Sequence, residues 1–169
     1  GQPVPALPFR CQGLLALLPL RPAQKKREQL AGNLFPDSPE DTAKARLSDR
    51  LWLLKRHLPD FPLTITATSI QVDAAQMRVD VTDFRQLVQK GDPDSLARAV
   101  AFYTGDLLPE QDAEWLLLER ENLYLTYIRA LQALSSQALR SGNPLDAIPV
   151  LEKLQSIEPF DESNLRNLL

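Results

Sequence analysis

Apolar positions in this chain recur with two periods, and these place most of its elements. Ala43, Leu47, Leu51, Leu54 and Leu58 fall within about 40° of one line when each residue turns about 100° around an axis, which predicts an amphipathic helix over 39–58. Leu63, Ile65 and Ala67 alternate instead with Thr64, Thr66 and Thr68, and Ile70 and Val72 flank Gln71. Period two on either side of a turn near Thr68-Ser69 predicts a β-hairpin of two short strands. Such a hairpin is marginal alone in water, so it must lean on helices or on further strands. The remaining apolar spacing predicts helices at about 12–20, 26–35, 81–90, 93–104, 112–141, 144–157 and 161–168.

Three helix starts share one design. Ser38-Pro39-Glu40-Asp41, Asp92-Pro93-Asp94 and Asn143-Pro144-Leu145-Asp146 each set a capping side chain before a proline at the first helical position, with acidic residues in the first turn. Further starts are expected near Lys26, Thr82, Asp112 and at Asp161. Two helices, a capped third helix over 39–58 and then a hairpin give the order of a winged helix-turn-helix. "LFPDSPED" supplies the tight turn between the second and third helices. The rest reads as helices only, so the expected boundary falls near 73–79, with domains at 1–72 and 73–169.

Charge follows the same division. Residues 1–72 carry ten Lys/Arg against six Asp/Glu, whereas 73–169 carry nine against sixteen, and the whole chain is −3. A basic half joined to an acidic half suggests separate partners, with polyanion contact assigned to the first. At 44% hydrophobic and 24% charged residues, the chain reads as globular, and "LLALLPL" is too short to span a membrane. One cysteine, Cys11, allows no internal disulfide, and one histidine, His57, leaves no metal cluster to assemble. A cytoplasmic setting is the expectation.

Five segments in the second half carry a family resemblance: "VDVTDF" (79–84), "YTGDLLP" (103–109), "EWLLLERENLYLTY" (114–127), "SGNPLDAI" (141–148) and "EPFDE" (158–162). In the first half the matching stretches are "LLALLPLRP" (14–22), "REQLAGNLFPDSPED" (27–41) and "RLSDRLWLLKRHL" (46–58). On these residues the chain resembles bacterial transcriptional activators of the antibiotic regulatory protein (SARP) type. The resemblance implies a mainly α fold: an N-terminal response-regulator-like winged helix-turn-helix with a short β-hairpin, then a C-terminal tetratricopeptide-like helical array serving as a bacterial transcriptional activation domain. It also implies that the winged helix's first strands precede Gly1. "LSSQALRSGNPLDAIPVLEKLQSIEP" looks like one tetratricopeptide-type hairpin, with Leu134, Ala138 and Leu139 on one helix and Ala147, Ile148, Leu151 and Leu154 on the other. Pro159 would end the second helix, and Pro149 inside it should bend it.

Opposite the leucine stripe, helix 39–58 presents the face that a recognition helix offers to the major groove. Arg46 and Arg56 suit base edges or phosphates, and Arg50, Lys55 and Lys44 suit phosphates. Lys25, Lys26 and Arg27, at the start of the preceding helix, add a backbone contact. Trp52 and Leu53 share that face with Asp49. Leaving each large apolar side chain in water costs about 1.5–3 kcal/mol, so they point to a protein interface. The hairpin carries Ser69-Ile70 where the family has a glycine-aromatic pair.

Asp80, Asp83, Asp106, Glu110 and Asp112 sit at expected helix ends, where capping accounts for them. No glycine-rich phosphate loop, nucleophile set or metal spacing appears in the sequence, so no enzyme activity, cofactor or metal is expected. His57 reads as a helix-end surface residue, Cys11 as a small buried hydrophobe, Trp115 and Tyr124 as core, and Arg120 as the partner of Asp106 or Glu119. The expected function is transcriptional regulation: promoter DNA bound by the winged helix, and a helical domain used for homodimerisation or RNA polymerase contact. The alternative is a protein-interaction or signalling module that does not bind DNA and uses the Trp52/Leu53 face.

Overall fold

The computed structural model describes residues 7–20, 23, 25–142 and 144–157, and the expected helix at 161–168, the Asn143 cap and the stop at Pro159 lie outside them. Two compact units divide the chain. One holds the described residues up to Val79 together with Leu108–Leu116, and the other holds Asp80–Leu107 and the described residues from Leu117 onward.

In the first unit the order is α1 (Phe9–Leu20), β1 (Lys25–Lys26), α2 (Arg27–Leu34), α3 (Glu40–His57), β2 (Leu63–Ile65) and β3 (Ser69–Val72). Leu14, Leu17 and Leu18 of α1, Leu30 and Ala31 of α2, and Ala43, Leu47, Leu51 and Leu54 of α3 are buried together with Ile70 and Val72. The leucine stripe of α3 is therefore its core face. Leu58, the last residue assigned to that stripe, is half-buried just past the helix, where its N–H donates to the Leu54 carbonyl at 2.8 Å.

The hairpin forms as expected, but its sheet has three strands in the order β1-β3-β2. Lys25 and Lys26 pair antiparallel with Ile70 and Ser69. They belong to a strand leading into α2, which corrects their expected place at a helix start. The turn needs no glycine. The Thr66 hydroxyl accepts from the backbone N–H of Thr68 (3.3 Å) and Ser69 (2.9 Å), so a side chain supplies the turn's hydrogen bonds.

A second correction concerns Ser38. Helix α3 begins at Glu40, with Pro39 at the cap in an extended conformation and no side-chain capping bond. The Ser38 hydroxyl accepts instead from Arg46 Nη1 at 2.8 Å, so it fixes an arginine rather than a helix end. Cys11 is fully buried, as expected for a small apolar residue. In the 108–116 segment, Gln111 Nε2 donates to the Phe9 carbonyl at 3.3 Å, and Trp115 and Leu116 are buried.

The second unit contains α4 (Asp80–Lys90), α5 (Pro93–Phe102), most of α6 (Glu114–Arg140) and α7 (Pro144–Ile157). Phe84, Leu87, Ala99, Leu123, Tyr127, Ile128, Leu131, Ala147, Leu151 and Leu154 form one buried cluster. Tyr103 stacks on Tyr127 at 4.3 Å between ring centroids, against its edge. Ile148 and Leu139, both expected in this core, are exposed instead. α7 runs through Pro149 to Ile157. Arg85 pairs with the nearly buried Glu119, the acid offered above to Arg120, and Arg120 Nε donates to the Leu107 carbonyl at 2.8 Å.

Asp92 caps α5 as expected, its carboxylate accepting from the Ser95 N–H at 2.9 Å. Hydrogen bonds from the Ser95 side chain, then from its backbone, hold the Asp92 carboxyl below its ordinary value of 3.8. Because the folded value is the lower one, this stabilisation is complete above the ordinary value and disappears as pH falls through the folded value. Asp92→Ala should therefore melt earlier than the parent at neutral pH, and the difference should close in strong acid. Thermal melts across that range read it directly; a gap independent of pH would mean that the charge contributes nothing.

Candidate nucleic-acid interface

All eight cations expected to meet DNA lie in the first unit, and the structure sorts them into separate groups. Lys25, Lys26, Arg27 and Lys44 line one open cleft of about 840 Å³, together with Glu28 and the hairpin residues Ala67, Thr68 and Ser69. β1 places the first two, and pairing of β1 with β3 brings the hairpin tip beside them.

Arg27 joins this cleft's parts. Its Nη2 donates to the Ser48 hydroxyl at 2.8 Å, its Nη1 to the Thr66 carbonyl at 3.4 Å, and its backbone N–H to the Thr68 carbonyl at 2.9 Å. Through one residue the start of α2, the side of α3 and the hairpin tip are fixed to one another. Lys44 is engaged differently. Its ammonium lies 3.2 Å from Glu28 Oε1 and also bonds Glu40 one turn earlier on α3. The hydrogen bond to Glu40, then that to Glu28, holds the Lys44 ammonium above its ordinary value, so the lysine stays charged while its charge is largely matched locally.

Arg46 and Arg50 form a second group. Their guanidinium carbons sit 5.9 and 4.8 Å from the ring centroid of Phe35, and the Ser38 hydroxyl further fixes Arg46. Stacking on a ring face orients a planar guanidinium while leaving edge N–H groups able to donate. Phe35 was not foreseen as part of the site. The available signal was the spacing of the two arginines, one helical turn apart on α3, opposite an aromatic residue at the end of α2.

Arg56 lies over the Trp52 ring at 5.1 Å. Trp52 is 59% exposed, whereas Leu53 is only half-buried, and its carbonyl accepts from His57 Nδ1 at 2.9 Å. The sequence places both on one face of the helix, but successive helical residues point about 100° apart, and Leu53 is the more buried of the two. Lys55 is exposed. The arrangement supplies fixed cations, a polar hairpin tip and an aromatic-backed guanidinium pair, which suit phosphates and planar acceptors.

Among the described residues no helix is long and apolar enough to cross a membrane. Residues 72–169 match the family model for the bacterial transcriptional activator domain. No curated protein matches the chain.

Proposed function

Because the chain belongs to the bacterial transcriptional activator domain family, we propose that it is a transcription regulator whose first unit binds promoter DNA as a winged helix. Its helical array serves self-association or contact with RNA polymerase. One observation carries the DNA half of this reading: β1 sets Lys25 and Lys26 beside the hairpin tip, in the same cleft as Arg27 and Lys44. In the reading, α3 enters the major groove with Arg46, Arg50 and Arg56, while Lys25, Lys26, Arg27 and Lys55 hold phosphates. The protein acts in the cytoplasm, requires no cofactor and carries out no catalysis.

An electrophoretic shift with the DNA upstream of the chain's own gene tests this. The expected result is a discrete retarded species at low salt. Absence of any shift on that DNA, with the protein folded, would reject it.

Trp52 favours a second reading. An indole 59% exposed on α3 suits a protein partner, and in this reading the first unit docks protein instead of DNA. Under the first reading Trp52→Ala with Leu53→Ala weakens DNA binding only as far as Arg56 loses the ring beneath it, and leaves the oligomeric state unchanged. Under the second, DNA binding is absent at low salt, and those substitutions change the oligomeric state.

A further inference from the structure

Helix α6 buries one face and leaves a second apolar stripe uncovered. Leu116, Leu123, Tyr127 and Leu131 are buried, while Leu118 and Leu125 are 58% and 42% exposed. These two leucines are seven residues apart, so they lie on one line. Glu114 and Arg129 fall within about 40° of that line and are exposed, as are Glu121 and Asn122 about 50° away on its two opposite edges.

The stripe is self-complementary in one orientation. If two such helices lie antiparallel about a two-fold axis between Glu121 and Asn122, Leu118 faces Leu125 of the second copy and Leu125 faces its Leu118. The same register sets Glu114 level with Arg129 at both ends, within reach across the seam. Each leucine of the line meets a leucine, and each end charge meets its opposite. A parallel arrangement would set Glu114 against Glu114 and Arg129 against Arg129, which repel. Closed two-fold symmetry requires such a patch, in which residue i meets j and j meets i.

We propose that this face of α6 is an antiparallel contact between two copies of the chain. The inference rests on reading the helical array as a protein-contact surface, and it selects a second copy as the occupant. The charge pattern selects that occupant, since a heterologous partner would need no mirrored order of Glu, Leu, Leu and Arg about one point.

Sedimentation of the full chain, without DNA, tests it. The parent should show a concentration-dependent monomer–dimer equilibrium. Leu118→Glu with Leu125→Glu should weaken it on the order of 100-fold or more, because like charges would then face each other at the centre. Glu114→Arg alone and Arg129→Glu alone should each weaken it roughly tenfold, as like charges meet at both ends. Mixing those two variants should restore association, since every end pair is again opposite, and so should Glu114→Arg with Arg129→Glu in one chain. Should a charge variant melt early, oxidation of mixed Leu118→Cys and Leu125→Cys copies should give a disulfide-linked pair that neither gives alone.

A parent that stays monomeric at all concentrations overturns the proposal, as does association indifferent to the leucine and charge changes. The promoter reading is decided separately. A monomer that shifts DNA overturns only this proposal, and a dimer with the expected charge pattern that ignores DNA supports it while rejecting DNA binding.

Discussion

Raising salt from about 50 to about 200 mM is expected to weaken promoter binding on the order of 100-fold, the signature of about four phosphate contacts. Each neutralised phosphate releases close to one condensed counterion, so affinity falls as roughly the 0.9 power of salt per contact. In the proposed reading Lys25, Lys26, Arg27 and Lys55 supply the four. Lys44 is left out of that count because Glu28 and Glu40 already hold its ammonium. Lys25→Ala with Lys26→Ala should reduce the logarithmic salt slope by about two and weaken binding to all sequences alike. Arg46→Ala should act differently. Its guanidinium is placed by Phe35 and Ser38, and in the proposed reading it meets base edges, so its loss should lower discrimination by about 1–3 kcal/mol and change the salt slope less. Titrations by fluorescence anisotropy at several salt concentrations, on the promoter and on an unrelated duplex, give both quantities. A slope near zero, or an unchanged slope in the double-lysine variant, would contradict the role given to the cleft.

The sequence announced elements through periodicity and lost them where periodicity is silent. Alternation around Gln71 located the hairpin, and the i, i+4 leucines located α3. β1 escaped because two lysines contain no alternation; it exists through its pairing with Ile70 and Ser69, a partnership decided in three dimensions. Capping shows the same limit. Asp92-Pro93 and Ser38-Pro39 look alike in sequence, yet only Asp92 caps, because the Ser38 hydroxyl accepts from a guanidinium instead. The candidate site behaved similarly. Composition named its cations, but whether each is held by a carboxylate, an aromatic ring or the hairpin depends on neighbours distant in the chain. Lys44 is matched by Glu28 from α2, and Arg50 is stacked on Phe35.

The helical unit offers the other large effect, and it separates residues that the sequence could not. Ala147, Ile148, Leu151 and Leu154 read as one apolar face of α7, yet Leu151 is 1% exposed and Ile148 is 41% exposed. Leu151→Ala should cost about 2–5 kcal/mol, because Leu131, Leu154 and Ala147 share its cluster and can close only part of the space left behind. At about 4–8 °C per kcal/mol for a domain of this size, the corresponding melting transition should fall by roughly 10 °C or more. Ile148→Ala removes apolar atoms that already meet water, so its cost should stay near or below about 0.5 kcal/mol. Urea unfolding of the two variants beside the parent measures both. Equal losses would mean that α7 buries a different face from the one described. A large loss at Ile148 alone would move the core of α7 by one residue, and with it the assignment of Ala147 and Leu154 as the side that packs on α6.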